Sequence, residues 1–161
     1  PREFLSPISH GGLQEQEIRS GTVPVFLTVG LSQALNLIKN EHEQNKKYLL
    51  DMRQTFMSKI KELSPDIKIN YASNNGHPGT INLHFKNIDA DIIATRLAND
   101  VAVSTSAACN GVGFEYSYVL KNMHLDDEVS KSSIRLCFSK YNTFDEAKKA
   151  ANLMYEKYKQ S

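Results

Sequence analysis

The sequence predicts an α/β fold, a small sheet covered by helices and preceded by one long connecting helix. Stretches with period-two alternation are interleaved with stretches of helical period. One apolar stripe at steps of three or four stops only at Ser64-Pro65. The 161 residues, 40% hydrophobic and 23% charged, suffice for one ordinary core and are too few for two large ones.

Residues 1–22 read as a turn-rich opening, from Ser6-Pro7 through His10-Gly11-Gly12 to Ser20-Gly21-Thr22. A helix is expected from residue 24, with Pro24 tolerated in its first turn and Thr22 as its cap. Phe26, Val29, Ala34 and Ile38 supply a fair apolar stripe for it. Lys39 to Lys47 is nine polar residues without a break, a solvated stretch. Beyond it Leu49, Met52, Phe56, Ile60 and Leu63 restore the stripe, and Pro65 ends the ladder. A helix over 24–64 far exceeds the usual length of about 11–12 residues, as a connector between two bodies would.

The period then changes. Ile67, Ile69 and Tyr71 alternate with Lys68 and Asn70, and Ile81, Leu83 and Phe85 alternate with Asn82 and His84. Asn74-Asn75-Gly76 and Pro78 mark the turn between these two strands. Asp89 is placed to cap a short helix carrying Ile92, Ile93 and Leu97, and Val101 to Val103 reads as a strand end. A loop of small residues, Ser104 to Cys109, follows. Ser117 to Met123 predicts a turn or two of helix, and Ile134, Leu136 and Phe138 predict a further strand. The last helix opens on a capping box, Thr143 to Glu146, and lines one face with Ala147, Ala150, Met154 and Tyr158.

Charge excludes some functions. With 19 basic and 18 acidic residues the net charge is +1, and no block of like charges stands out, so direct nucleic-acid or membrane binding is not expected. No apolar run approaches the roughly 18 residues of a membrane span. The five histidines are dispersed without metal-ligand spacing, so no metal site is expected. Two cysteines, Cys109 and Cys137, fit a reducing, cytoplasmic setting better than a disulfide framework. Cys137 alternates with strand apolar residues and reads as a small core residue.

Three stretches, in order, resemble the cysteine desulfurases of the class V, fold type I PLP-dependent aminotransferase superfamily. They are His10-Gly-Gly-Leu-Gln-Glu-Gln-Glu-Ile-Arg-Ser-Gly-Thr22, then Val103-Ser-Thr-Ser-Ala-Ala-Cys109, then Ser117-Tyr-Val-Leu120 with Ser132-Ser-Ile-Arg135. The strand carrying Asn82 fits as well. The chain departs from the family pattern at Gln16, where an arginine is usual, at Ser106 for a glycine, and at Tyr116 for a proline.

The resemblance implies the small C-terminal domain of a PLP-dependent transferase. It divides the chain into residues 1–23, a loop segment closing the large domain, 24–64, the connecting helix, and 65–161, the α/β domain with the nucleophile loop. The family's Schiff-base lysine lies shortly upstream of the His-Gly-Gly segment, and no such motif stands here. The chain is therefore expected to be a C-terminal portion, inactive alone.

The implied chemistry converts L-cysteine to L-alanine and leaves a persulfide on Cys109. A free thiol ionises near pH 8.5, so a few per cent is thiolate at neutrality, enough to attack the substrate's sulfur while PLP holds the released electrons. The small residues around Cys109 suit a thiol that must travel. Arg135 matches the arginine that grips the substrate carboxylate, a task suited to a guanidinium fork. Thr22 matches the threonine that reaches the PLP phosphate of the neighbouring subunit, which implies a homodimer. Arg19 is expected to orient that loop or to pair with an acid, and Gln14 with Glu15 to brace the loop.

Two other readings stand beside this one. Cys109 could serve as the carrier thiol of a non-enzymatic sulfur-accepting or docking module, or the chain could be a class V relative such as a selenocysteine lyase or a transaminase-like enzyme. The implied partners are L-cysteine and a sulfur-acceptor or scaffold protein. Iron–sulfur cluster assembly, tRNA, cofactor and DNA modification all remain open as the destination of the sulfur.

Overall fold

A computed structural model describes residues 5–71, 76–105 and 117–160. The chain divides into two compact units, one through His42 and one from Glu43.

The first unit holds the turn-rich opening and the start of helix α1 (Val25–Leu63). Pro24, not Thr22, stands at the head of this helix. Its carbonyl accepts from the N–H groups of Leu27 and Thr28, leaving Thr22 outside the helix as an exposed residue. The apolar residues near the start of α1 line no core within their own unit: Phe26 is 76% exposed, Val29 62% and Ile38 59%.

The second unit is built from the rest of α1, strands β1 (Ile67–Tyr71) and β2 (Thr80–Phe85), helix α2 (Ala90–Leu97), strand β3 (Ser104–Thr105), helices α3 (Tyr118–Asn122) and α4 (Asp127–Lys131), strand β4 (Ser133–Cys137) and helix α5 (Phe144–Lys159). The strands form one sheet in the order β1-β2-β4-β3, antiparallel at every pairing. Since β2 and β3 both run against β4, they run parallel to each other, and α2 is the crossover between them. Strand β4, last in sequence, is inserted into the gap.

The predicted alternation decides which face of the sheet is covered. Ile81, Leu83 and Phe85 of β2 and Ile134 and Leu136 of β4 are buried with Met52, Phe56 and Ile60 of α1, Ile93 and Leu97 of α2, and Met154 of α5. All three helices thus cover one face, and Phe56 meets Phe138 edge to face at 5.4 Å. The helix ends follow their local chemistry. Asp89 accepts from the Asp91 N–H, Ser117 accepts from Leu120, and Thr143 and Glu146 close a reciprocal capping box.

Losing the Thr143 cap is expected to cost about 1 kcal/mol. In Thr143→Ala this appears as a lower urea midpoint with an unchanged slope, and an unmoved midpoint would count against the box.

Three expectations need correction. Val101 to Val103 precedes the strand rather than ending it, because β3 begins at Ser104. Ile92 is exposed, while Ile93 and Leu97 carry the burial of α2. Tyr71 does not continue the core face of β1. The register shifts between Ile69 and Tyr71, so Asn70 and Tyr71 together oppose Asn82, and such a bulge re-aims a side chain. The turn at Asn74-Asn75 lies outside the described residues.

Candidate functional site

With the helices gathered on one side, the other face of the sheet carries the polar members of the alternation. Asn82 of β2 faces Arg135 of β4 across the ladder, and Arg135 in turn faces Ser104 of β3. These residues line a cavity of about 590 Å³, together with Tyr71, Ser117 and Ser133. None of the described lining residues is acidic. Among the described residues Arg135 has no hydrogen-bond or ion-pair partner, so none of them takes up its guanidinium. On the same face, burial and then the nearby Lys68 hold the His84 imidazole below its ordinary value. His84 is therefore mostly neutral at neutral pH, and among the described lining residues Arg135 is the cation.

Cys109 lies outside the described residues, as do Ser106 and Tyr116. The two ends of its segment are placed. The chain enters from Ser104-Thr105 and re-emerges at Ser117, which caps α3, and all three residues line the cavity. The segment carrying the thiol is thus anchored at both ends on the cavity that holds Arg135.

Thr22 belongs to the other unit, where its surroundings are built by the motif that precedes it. Gly21 adopts φ +98, a conformation that L side chains rarely take. Its N–H donates to the Gln14 side-chain oxygen at 3.2 Å, and Arg19 donates to the Ser20 carbonyl at 2.9 Å. The Gln14 side chain thus reaches across the loop to Gly21, and the Arg19 guanidinium lies against the carbonyl of the next residue. Glu15, Gln16 and Glu17 all lie in the left-handed region, at φ 49, 57 and 67, each at a cost of roughly 1–2 kcal/mol for a residue with a Cβ. Thr22, just ahead of α1, leaves its hydroxyl exposed. That fits a phosphate, which the approach of a glycine backbone and the start of a helix both favour.

Cys137 is not a core residue. It is exposed on the polar face, its sulfur 3.4 Å from the Nδ1 of His77 and 3.4 Å from the Thr80 hydroxyl. That nitrogen also accepts the Gly79 N–H at 3.2 Å, so it serves as an acceptor.

Asn70 and Ser133 carried no role in the sequence reading, and Asn82 entered only as part of a matching strand. Their signal was compositional, since asparagine is depleted in strands and yet stands at Asn70 and Asn82 on paired ones. Asn70 Nδ2 donates to Asn82 Oδ1 and to Ser133 Oγ, both at 2.8 Å. No cluster of metal-ligating side chains occurs among the described residues. No described helix is long and apolar enough to cross a membrane.

Comparison with known proteins gives a consistent picture. Residues 9–149 match the aminotransferase class-V family. The chain is 33% identical over 157 residues to a cysteine desulfurase IscS of Rickettsia bellii, covering 98% of this chain and 38% of that protein. It is 35% identical over 146 residues to a cysteine desulfurase of Rattus norvegicus, covering 91% and 32% respectively. Among solved structures, a NifS-like protein from Rickettsia africae superposes with a TM-score of 0.77 at 27% identity, over 96% of this chain and 40% of that one. DndA from Streptomyces lividans gives 0.60 at 29% identity, over 83% and 37%. The chain therefore spans well under half the length of these relatives.

Proposed function

The chain belongs to the class-V aminotransferase family, and on that premise we propose that it is the C-terminal part of a cysteine desulfurase. The complete protein converts L-cysteine to L-alanine and carries the sulfur away as a persulfide of Cys109. One observation carries the reading most directly. Among the described residues the cavity has no acidic side chain in its lining and Arg135 has no partner, and the residues flanking the Cys109 segment, Thr105 and Ser117, sit on that lining.

Each residue then has a task. Arg135 grips the substrate carboxylate, which fixes the thiol-bearing end of the amino acid relative to the cavity. The Cys109 thiolate attacks the substrate sulfur; a sulfur–sulfur bond forms, the carbon–sulfur bond breaks, and a proton restores the methyl group of alanine. Thr22 hydrogen-bonds the phosphate of pyridoxal phosphate bound to a second copy of the protein, making the enzyme a homodimer. When bound, that cofactor supplies the sink for the electrons released at carbon. The persulfide passes to an acceptor protein or to an added thiol, which regenerates Cys109.

Turnover separates this reading from its rivals. The complete gene product, given L-cysteine, pyridoxal phosphate and dithiothreitol, is expected to form alanine and sulfide in equal amounts. The 161-residue chain by itself is expected to form neither, and adding the N-terminal portion is expected to restore both. Alanine without sulfide would sink the desulfurase reading. Turnover by the 161-residue chain at the rate of the complete protein would sink the reading of it as a partial enzyme.

A further inference from the structure

We infer that Asn82 is a second carboxylate donor beside Arg135, and that Asn70 is the positioning residue that turns its amide toward the ligand. This deepens the proposed function, because it rests on Arg135 as the carboxylate clamp.

The argument starts from a backbone carbonyl. Val129 O can only accept, and it lies 2.6 Å from Ser133 Oγ, so the serine hydroxyl spends its one proton there. Ser133 then has only lone pairs for its second partner, and Asn70 must meet it with nitrogen, at 2.8 Å. That same nitrogen lies 2.8 Å from the Asn82 side chain, so its other proton falls there and Asn82 must answer with oxygen. The direction of every bond follows from the first. No assignment of amide oxygen and nitrogen has to be assumed, although the two are otherwise hard to tell apart.

The consequence falls on Asn82. Its oxygen is tied back to Asn70, so its amide nitrogen is left on the other side. Among the described residues that nitrogen has no partner, while Asn82 itself lines the cavity. Directly across the ladder stands Arg135, whose guanidinium is likewise without a partner among the described residues. Residues opposed in this way hold their Cβ atoms about 4.5–5.5 Å apart, close enough for both side chains to reach one carboxylate. The bulge in β1 contributes too. It sets Asn70 and Tyr71 together against Asn82, and this lets Asn70 bond to it.

Chemically, the pair offers a cation and a neutral donor on one side of a planar anion. A hydrogen bond to a charged group contributes roughly 1.5–3 kcal/mol, so Asn82 adds to the charge of Arg135 a direction that charge alone lacks.

The test is a titration of the isotope-labelled 161-residue chain with L-alanine, using L-alaninamide as the probe without a carboxylate. Side-chain signals of Asn82 and Arg135 are followed by nuclear magnetic resonance. Expected is a joint shift of the Arg135 Nε–H and the Asn82 amide with one midpoint under alanine, and no shift of either under alaninamide. Asn82→Leu, which changes no charge, should weaken alanine binding about tenfold, and Asn70→Ala about threefold with Arg135 untouched.

A shift at Arg135 with none at Asn82 would overturn this inference and leave the clamp standing. So would unchanged affinity in Asn82→Leu, or an equal response of Asn82 to the amide. Silence at both residues would overturn the clamp and the inference together. The titration of the unsubstituted chain decides the matter even if either variant fails to fold.

Discussion

Replacing Cys109 by serine is expected to lower alanine and sulfide production by the complete protein at least a thousandfold, with folding and cofactor binding unchanged. The size of the effect follows from ionisation. A thiol with a pKa of about 8.5 is a few per cent thiolate near neutrality, whereas a serine hydroxyl contributes essentially no alkoxide. An alkoxide would also be a poor partner for sulfur, and no persulfide could form on it. Substitution by serine removes little volume, and the descriptor to watch alongside activity is the urea midpoint. Mass spectrometry of the unsubstituted protein after a single turnover should find the extra sulfur on Cys109. A Cys109→Ser protein that still released sulfide would rule out this thiol as the acceptor. One that still processed amino acids without sulfide would point to a transaminase-like relative.

Arg135→Gln should lower kcat/KM for L-cysteine by about two orders of magnitude or more, the loss of one or two charge-assisted hydrogen bonds at roughly 1.5–3 kcal/mol each. The stronger signature is selectivity. The unsubstituted enzyme should prefer L-cysteine to L-cysteinamide, which lacks the carboxylate, and Arg135→Gln should nearly abolish that preference. Arg135→Lys keeps the charge and loses the fork, so it should fall between the two. Stability should barely move, since Arg135 is exposed on the polar face and the core lies on the other side of the sheet. Retained selectivity in Arg135→Gln would remove Arg135 from the site.

Most elements were legible because their signals are local. The alternation at Ile81, Leu83 and Phe85 appears as burial on one face of β2, and the box at Thr143 and Glu146 appears as two reciprocal bonds. Where local reading failed, something distant intervened. Tyr71 kept strict alternation on paper, but the register shift against β2 turned it to the cavity. Cys137 alternates with Leu136 and Phe138, so the period-two pattern sets it on the face of Arg135, and its residue type alone suggested burial. Thr22 suits a helix cap by residue type, yet Pro24 takes that place because its carbonyl is the first that the helix uses. Helix α4 carried too few apolar residues to declare itself, and only Ser130 in it is buried.

By itself, then, the amino-acid order determined the periodicities, the caps, the α/β class and the motifs around Thr22, Cys109 and Arg135. Those depend on residues within a few positions of one another. Only the tertiary structure decided the strand order, in which β4 enters between two strands joined through α2. That insertion sets Arg135 between Asn82 and Ser104, and it brings Ser133 within reach of Asn70. Strand order is a matter of which apolar faces can be buried together against α1, α2 and α5. It is settled by packing across the whole unit, which no single window of sequence contains.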